Sequence, residues 1–457
     1  MAMSKTVLFI GAHNKREIEF YIRVAKHLSS EGIQTKFTSQ YHRHAVELRR
    51  NKGVDVLAVP HWIESNWHDI PDLEAARAAE AKYDLISFRQ VYNGDRELFE
   101  CDESECIDRS LRYFEAWEAL FDANSVDAVV SAIGGELIRT TSFFAARRRG
   151  IKTSYLNFFP LPHRFVLVST LHGDFLNLDL TSLPDLSPVQ DVEARALLEQ
   201  LINRSPRFFR WHPPTLEAEY VGKTFSRWYF ALFTDRYAYP SRWVFRKSRY
   251  ISRRVFNHFF SRTLYEQPRL DGKFLFFPLH DSEDFQLRVR APHCQNQEFI
   301  VQLIAESLPI GYNLCVKEHP NFLGGIDTST LRWIKQIPNV TLLPPQVSAL
   351  DLISAAEAIV TINSTVGFEA LVRGKPVVSL GPSFYRGKGI TFDVDNFYDL
   401  PKTIKQAIGG KPDEKLVKKF LYYAMRKSHQ GDYTLRDFSE ENISLVAQAI
   451  LEEIERV

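Results

Sequence analysis

Apolar positions in this chain form short runs that alternate with stretches of helical spacing. Val7–Gly11 is such a run, and Glu17–Gly32 then sets Ile18, Tyr21, Ile22, Ala25 and Leu28 on one face. The run predicts a buried strand, and the spacing predicts an amphipathic helix ended by Gly32. Ile33–Ser39, Val54–Val59, Val126–Ile133 and Lys152–Leu156 read as further strands. Glu74–Val91 and Glu105–Ala123 read as long helices, and Gly134–Gly135–Glu136 leads into a helix through Arg149. This rhythm of strand and helix predicts a parallel sheet covered on both faces.

The rhythm restarts near residue 273. Phe274–Leu279, Tyr312–Lys317, Val340–Leu343, Ala358–Ile362 and Pro376–Leu380 read as strands. Helices are predicted at Gln295–Ser307, Thr328–Ile337, Ala349–Ala356 and Val366–Arg373, and two more at Asp413–Ser428 and Glu440–Ile454 close the chain. The expected class is α/β, with two doubly wound Rossmann-type domains facing a cleft. The expected divisions are a Rossmann-like domain over 1–195, a helical insertion or linker over 196–268, a second Rossmann-like domain over 269–410 and helices over 411–457. In such domains ligands bind at the carboxyl ends of the strands.

Composition changes this picture only locally. A chain of 457 residues exceeds one comfortable core, which agrees with two domains. The net charge of +1 supplies no overall field, so nucleic acid is not an expected partner. Thr6–Ala12 is too short for an export signal, and no run reaches the ~18 apolar residues of a membrane span. Four cysteines without a paired metal-ligand spacing fit a reducing compartment, so a cytoplasmic protein is expected. Residues 204–265 stand apart, with thirteen Lys or Arg, three Asp or Glu and eighteen aromatics. Two readings stay open for them: aromatics packed on the core under solvated arginines, or a basic surface for an anionic bilayer or a lipid-linked acceptor.

The chemistry concentrates at two strand ends of the second half. In Val316–Lys317–Glu318–His319–Pro320, side-chain alternation sends Lys317 and His319 one way and Glu318 the other. Pro320 favours exit from the sheet. A lysine is a compact charge for phosphate, and a histidine can donate to a phosphate oxygen. After the strand Ala358–Ile362, the residues Asn363, Ser364 and Thr365 are N-cap types for the next helix. Their backbone N–H groups suit an anion, and Glu369, a turn further on, suits ribose hydroxyls. Acceptor activation needs a carboxylate, either as a base or as a nucleophile. Glu136 is one candidate, and Glu283 and Asp284, beside Asp281, are others. His13 and Asn14 follow the first strand on the acceptor side. No paired Asp-x-Asp for a metal stands out, and none is expected.

Phe277–Pro278–Leu279–His280, then Lys317–Glu318–His319–Pro320, then Asn363–Ser364–Thr365 with Glu369 and Gly374–Lys375–Pro376–Val377 form an ordered set. In it the chain resembles the capsule polysaccharide biosynthesis family, which includes β-Kdo transferases and relates distantly to bacterial sialyltransferases that share the His-Pro motif. The resemblance covers residues 273–400 and, less closely, 120–160. It implies a GT-B fold whose C-terminal domain binds a nucleotide-sugar donor, with Lys317, His319, Ser364 and Thr365 on its phosphate, and His280, Asn363 and Glu369 are expected in the same donor site. No further cofactor is implied. Where relatives carry Pro-Leu-Gln and Asp-Ser-Gln, this chain has Pro278–Leu279–His280 and Asp284–Phe285–Gln286, which leaves the donor sugar open, Kdo included. The expected function is transfer of a sugar to a surface polysaccharide or lipid-linked glycan. The rivals are a UDP-sugar 2-epimerase, a glycerophosphate transferase, and a non-catalytic export or assembly protein.

Overall fold

A computed structural model describes residues 5–11, 15–50, 54–57, 59–68, 72–172, 176–203, 218–235, 237–268 and 270–456. The chain divides into two compact units, one from 1–171, 217–247 and 428–457 and the other from 172–216 and 248–427. Each is an α/β unit built on its own sheet.

In chain order the strands are β1 (Thr6–Gly11), β2 (Gln34–Ser39), β3 (Asp55–Leu57), β4 (Ala128–Ala132), β5 (Lys152–Phe158), β6 (Arg164–Val168), β7 (Phe274–Pro278), β8 (Asn313–Lys317), β9 (Val340–Leu343), β10 (Ala358–Thr361), β11 (Val377–Ser379), β12 (Phe392–Asp393) and β13 (His429–Gln430). The first sheet runs β13-β6-β5-β4-β1-β2-β3, parallel from β3 through β5. β6 returns antiparallel on β5, with Phe158 opposite Phe165, and β13 pairs antiparallel at the edge. Sequence reading missed β6 because it is a short hairpin return, while the crossover rhythm announces only parallel strands.

Val7 and Phe9 of β1 and Val130 of β4 are buried and pack with Val24 and Leu28 of the helix Lys15–Ser30. The last helix, Glu440–Glu455, completes this core through Ile443, Val446 and Ile450. The segment expected as one helix over Glu74–Val91 is instead two, Asp72–Tyr83 and Arg89–Tyr92. Asp84 lies between them at φ 52°, a left-handed conformation that ends a helix.

The second sheet is parallel throughout, in the order β12-β11-β10-β7-β8-β9. Counting its strands from β7, this is the 6-5-4-1-2-3 order of a dinucleotide-type Rossmann sheet. The strand order reverses between β7 and β10, which is where such sheets bind ligands. All five residues of β7 are buried, because helices cover both faces of a central strand. Leu275, Phe277, Val316, Val360 and Ile304 belong to one core. Of the basic, aromatic stretch, helices Ala218–Phe233 and Trp243–Ser261 are described, and 204–217 lies outside the described residues. Among the described residues, no helix is long and apolar enough to cross a membrane.

Candidate functional site

The carboxyl ends of β7, β8 and β10 meet at the reversal of the second sheet. Pro278 pairs in register with Lys317, and the Leu279 N–H donates to the Lys317 carbonyl at 2.9 Å. The next residue, His280, is only 8% exposed. Its backbone is clamped by the buried Gln297 side chain, which accepts the His280 N–H at 2.7 Å and donates to its carbonyl at 3.1 Å. The ring reaches across the reversal, where Nε2 accepts the Asn363 N–H at 3.4 Å. An accepting Nε2 leaves the proton on Nδ1, which has no partner in hydrogen-bond geometry. Burial, reinforced by the neighbouring His319, pushes His280 down to about 3. It is a neutral strut.

Lys317 ends β8 and is 7% exposed. Among the described residues, no carboxylate lies within ion-pair distance of its ammonium. Burial takes its pKa down to about 8, with Glu318 opposing. Alternation along the strand turns Glu318 elsewhere, fully buried, where the Tyr265 hydroxyl donates to it. Burial raises Glu318 to about 7. His319 is half-buried, and its Nδ1 accepts the Asn321 N–H at 3.3 Å, so the neutral ring carries its proton on Nε2. Burial lowers its pKa and Lys317 adds to the fall, while Asp281 and Asp284 oppose it. Lys317 and His319 thus share surroundings that Glu318 does not.

The turn after β10 is held from several directions. Asn363, 9% exposed, donates through Nδ2 to the Gln286 carbonyl at 2.7 Å, and its Oδ1 has no partner. The Ser364 N–H donates to Thr361 Oγ1 at 3.2 Å, and Ser364 Oγ caps the Val366 N–H at 3.2 Å. The helix it starts, Thr365–Leu371, is only seven residues long, so its dipole is small and any anion must rely on side chains and local N–H groups. Thr365 is exposed and Glu369 half-buried. Gly374 at φ 68° turns the chain out of the helix, and Lys375 Nζ donates to the Ala356 carbonyl at 2.9 Å. That lysine has a structural task.

Tyr385 secures the turn from below, its hydroxyl donating to the Ser364 carbonyl at 2.7 Å. It fits because residue 367 is glycine. A Cβ there meets Tyr385 Cζ at 2.8 Å and Thr361 Cγ2 at 2.9 Å, closer than real contacts allow. Gly367→Ala is therefore expected to destabilise the protein by about 1–3 kcal/mol through overpacking. The check is a lower urea midpoint with an unchanged m-value.

The acidic loop after β7 is also ordered. Asp281 Oδ1 accepts the Glu283 N–H at 2.8 Å, and Asp284 Oδ1 caps the helix Phe285–Arg288 through the Gln286 N–H at 2.8 Å. Glu283 accepts from the Tyr250 hydroxyl at 2.9 Å. Glu136 lies in the first unit, as the N-cap residue of the helix Leu137–Arg148, and pairs with Arg139 at 2.8 Å. His13 and Asn14 lie outside the described residues. Sequence reasoning missed Gln297, Tyr385 and Arg139. Each acts at long range through a polar group on an otherwise ordinary helix or loop, and no local pattern marks such groups.

The site is thus the edge of a Rossmann-ordered α/β sheet with a buried lysine beside its strand-order reversal, in ion-pair range of no carboxylate among the described residues. Residues 233–431, which include this site, match the family model described as capsule polysaccharide biosynthesis protein. The chain is 30% identical over 163 residues to protein FixF of Sinorhizobium fredii, covering 34% of this chain and 39% of that protein. It is 31% identical over 128 residues to the capsule polysaccharide modification protein LipB of Neisseria meningitidis, covering 26% of this chain and 30% of that protein. The chain therefore matches well under half the length of these relatives. Among solved structures it is similar to KpsC of Thermosulfurimonas dismutans, described as a beta Kdo 2,7 transferase. That likeness has 15% identity, 74% coverage of this chain and 89% of that one, and a TM-score of 0.41.

Proposed function

We propose that this protein is a glycosyltransferase that moves a sugar from a nucleotide-sugar donor to a growing capsule-like polysaccharide or lipid-linked glycan. The observation that carries the reading is Lys317, a buried ammonium with no carboxylate in ion-pair range among the described residues. A buried charge normally has a partner, and an anionic ligand is the partner that fits here. Lys317 and the His319 Nε2–H take the donor's phosphate oxygens, and Ser364 and Thr365 add donors from the turn. His280 holds that turn in register through Asn363, and Glu369 takes the ribose hydroxyls.

As the leaving nucleotide departs, Lys317 meets its developing charge, which is the largest service a site of this kind can render without a metal. Residues 269–410 bind the donor and 1–195 present the acceptor, on the cytoplasmic side of the membrane. Contact of 204–265 with that membrane belongs to the same proposal. Among Glu136, Glu283 and Asp284, the preferred base is Asp284, because Glu136 is paired with Arg139 and Glu283 already accepts from the Tyr250 hydroxyl. Asp284→Asn keeps an oxygen for the Gln286 N–H, so the cap survives while the carboxylate is lost. Turnover is expected to fall with donor affinity unchanged.

The test is a thermal-shift series with CMP-, UDP-, GDP- and CDP-ligands. One nucleotide class is expected to raise the melting temperature, with a stabilisation of about 2.7 kcal/mol at a hundredfold excess over Kd. Turnover should then require an acceptor, which an epimerase does not. If no nucleotide shifts the transition, the reading fails in favour of a non-catalytic assembly protein.

A further inference from the structure

Beyond Trp243, which is buried with Tyr41 and Tyr239, the helix Trp243–Ser261 docks through polar groups and shows phenylalanines to solvent. Its inward groups are hydrogen-bonded. Asn257, 4% exposed, donates to Asp327 Oδ1 at 2.9 Å and accepts from the Thr328 hydroxyl at 3.2 Å. Arg254 Nη2 donates to the Leu323 carbonyl at 2.9 Å. Gly324 admits the helix at close range, since a Cβ there runs into the Arg254 carbonyl.

On the other side Phe256, Phe259 and Phe260 are 58%, 65% and 47% exposed. Their rings touch, Phe256 and Phe260 at 4.3 Å and Phe259 and Phe260 at 5.4 Å between centroids. A surface helix of a soluble protein has the opposite polarity, so three clustered rings facing water call for a partner.

The charges around the rings say which partner. Arg249 and Arg253 of the helix, and Arg262 just beyond it, are exposed, and the helix holds no Asp or Glu. We propose that the face formed by Phe256, Phe259 and Phe260 with Arg249, Arg253 and Arg262 lies on an anionic lipid surface, rings at the acyl boundary and guanidinium groups among the headgroups. A second copy of the chain fits less well, because a twofold contact brings the same cations together. The proposal rests on the functional reading only for the membrane's relevance, and it stands without sugar transfer.

The experiment is flotation of the full chain with vesicles of phosphatidylcholine alone and of phosphatidylcholine with phosphatidylglycerol. The protein is expected to float with the anionic vesicles and to be released by salt. Arg253→Gln and Arg262→Gln should each lower the partition about 5-fold. The triple change Phe256→Ser, Phe259→Ser and Phe260→Ser should lower it by more than about 10-fold. Because these side chains are exposed, the melting temperature should hold, and so should the nucleotide-induced shift. Failure to float at low salt, or a triple variant that floats like the parent, overturns the proposal. So does a triple variant that only loses self-association in size-exclusion chromatography. A retained nucleotide shift in those cases leaves the donor reading intact.

Discussion

Replacing Lys317 by methionine is expected to make the protein more stable and at the same time to strip it of nucleotide affinity. The two effects have one cause. Burial lowers the Lys317 pKa from 10.5 to about 8, so the folded state holds this proton less tightly than the unfolded chain does. A lysine shifted in this direction opposes folding when charged. The full penalty, about 3 kcal/mol, is present below pH 8. It shrinks between pH 8 and 10.5, where the unfolded state binds more protons, and it vanishes above. Methionine keeps the unbranched stem and removes the charge. At neutral pH the variant should melt as much as about 10 °C higher, with the gap closing as pH approaches 10.

Binding should move the other way. Loss of a charge-assisted contact worth about 1.5–3 kcal/mol weakens the donor about 10- to 150-fold in Kd and in kcat/KM. In the parent protein, affinity should itself decline above pH 8 as the ammonium of the empty site loses its proton. Calorimetric titration and thermal melts over pH 7–10 check both halves. A less stable variant, or one that binds nucleotide as the parent does, means that the ammonium serves the fold and not a ligand.

What could be read from the chain and what could not divide along physical lines. β8 and β10 were legible because a central parallel strand is a short apolar run, and the polar residues that follow Val316 and Ile362 mark where it leaves the core. The opposite facing of Lys317 and Glu318 follows from alternation alone, and the partner found for Glu318, Tyr265, agrees with it. The His280 strut was not legible. It depends on Gln297, 17 residues away, and on Asn363, 83 residues away, meeting at one strand reversal. Tyr385 was hidden for the same reason, although Gly367 inside a helical pattern is the trace that its approach leaves in the sequence. The 204–265 stretch mixed two behaviours. Tyr239 and Trp243 are buried in a core with Tyr41, whereas Phe256 and Phe259 are exposed. Composition averages over the two.

Arg139→Ala is expected to destabilise the first unit by about 3–5 kcal/mol, because it removes the cation from a largely buried ion-pair network. Arg139 is 4% exposed and pairs with Glu17 at 2.7 Å and Glu136 at 2.8 Å, while its Nε donates to Ser131 Oγ at 3.2 Å. Ser131 in turn donates to the Ile10 carbonyl, so the network joins β4 to β1. The same arginine aims Glu136. Gly134 lets the loop pass close to it, since a Cβ there meets Arg139 Nη1 at 2.5 Å, and a Cβ at Gly135 meets the Gly94 carbonyl oxygen at 2.5 Å. A penalty of this kind belongs mostly to the stranded carboxylates, so removing a carboxylate together with the arginine should recover much of it. The pair Arg139→Met with Glu17→Leu is therefore expected to unfold in urea closer to the parent than Arg139→Ala does. In that folded double variant Glu136 keeps its carboxylate but loses the group that orients it. Parental turnover there would remove Glu136 from the catalytic candidates and leave the choice between Glu283 and Asp284. A fall in kcat at unchanged donor affinity would place Glu136 on the acceptor side of the reaction.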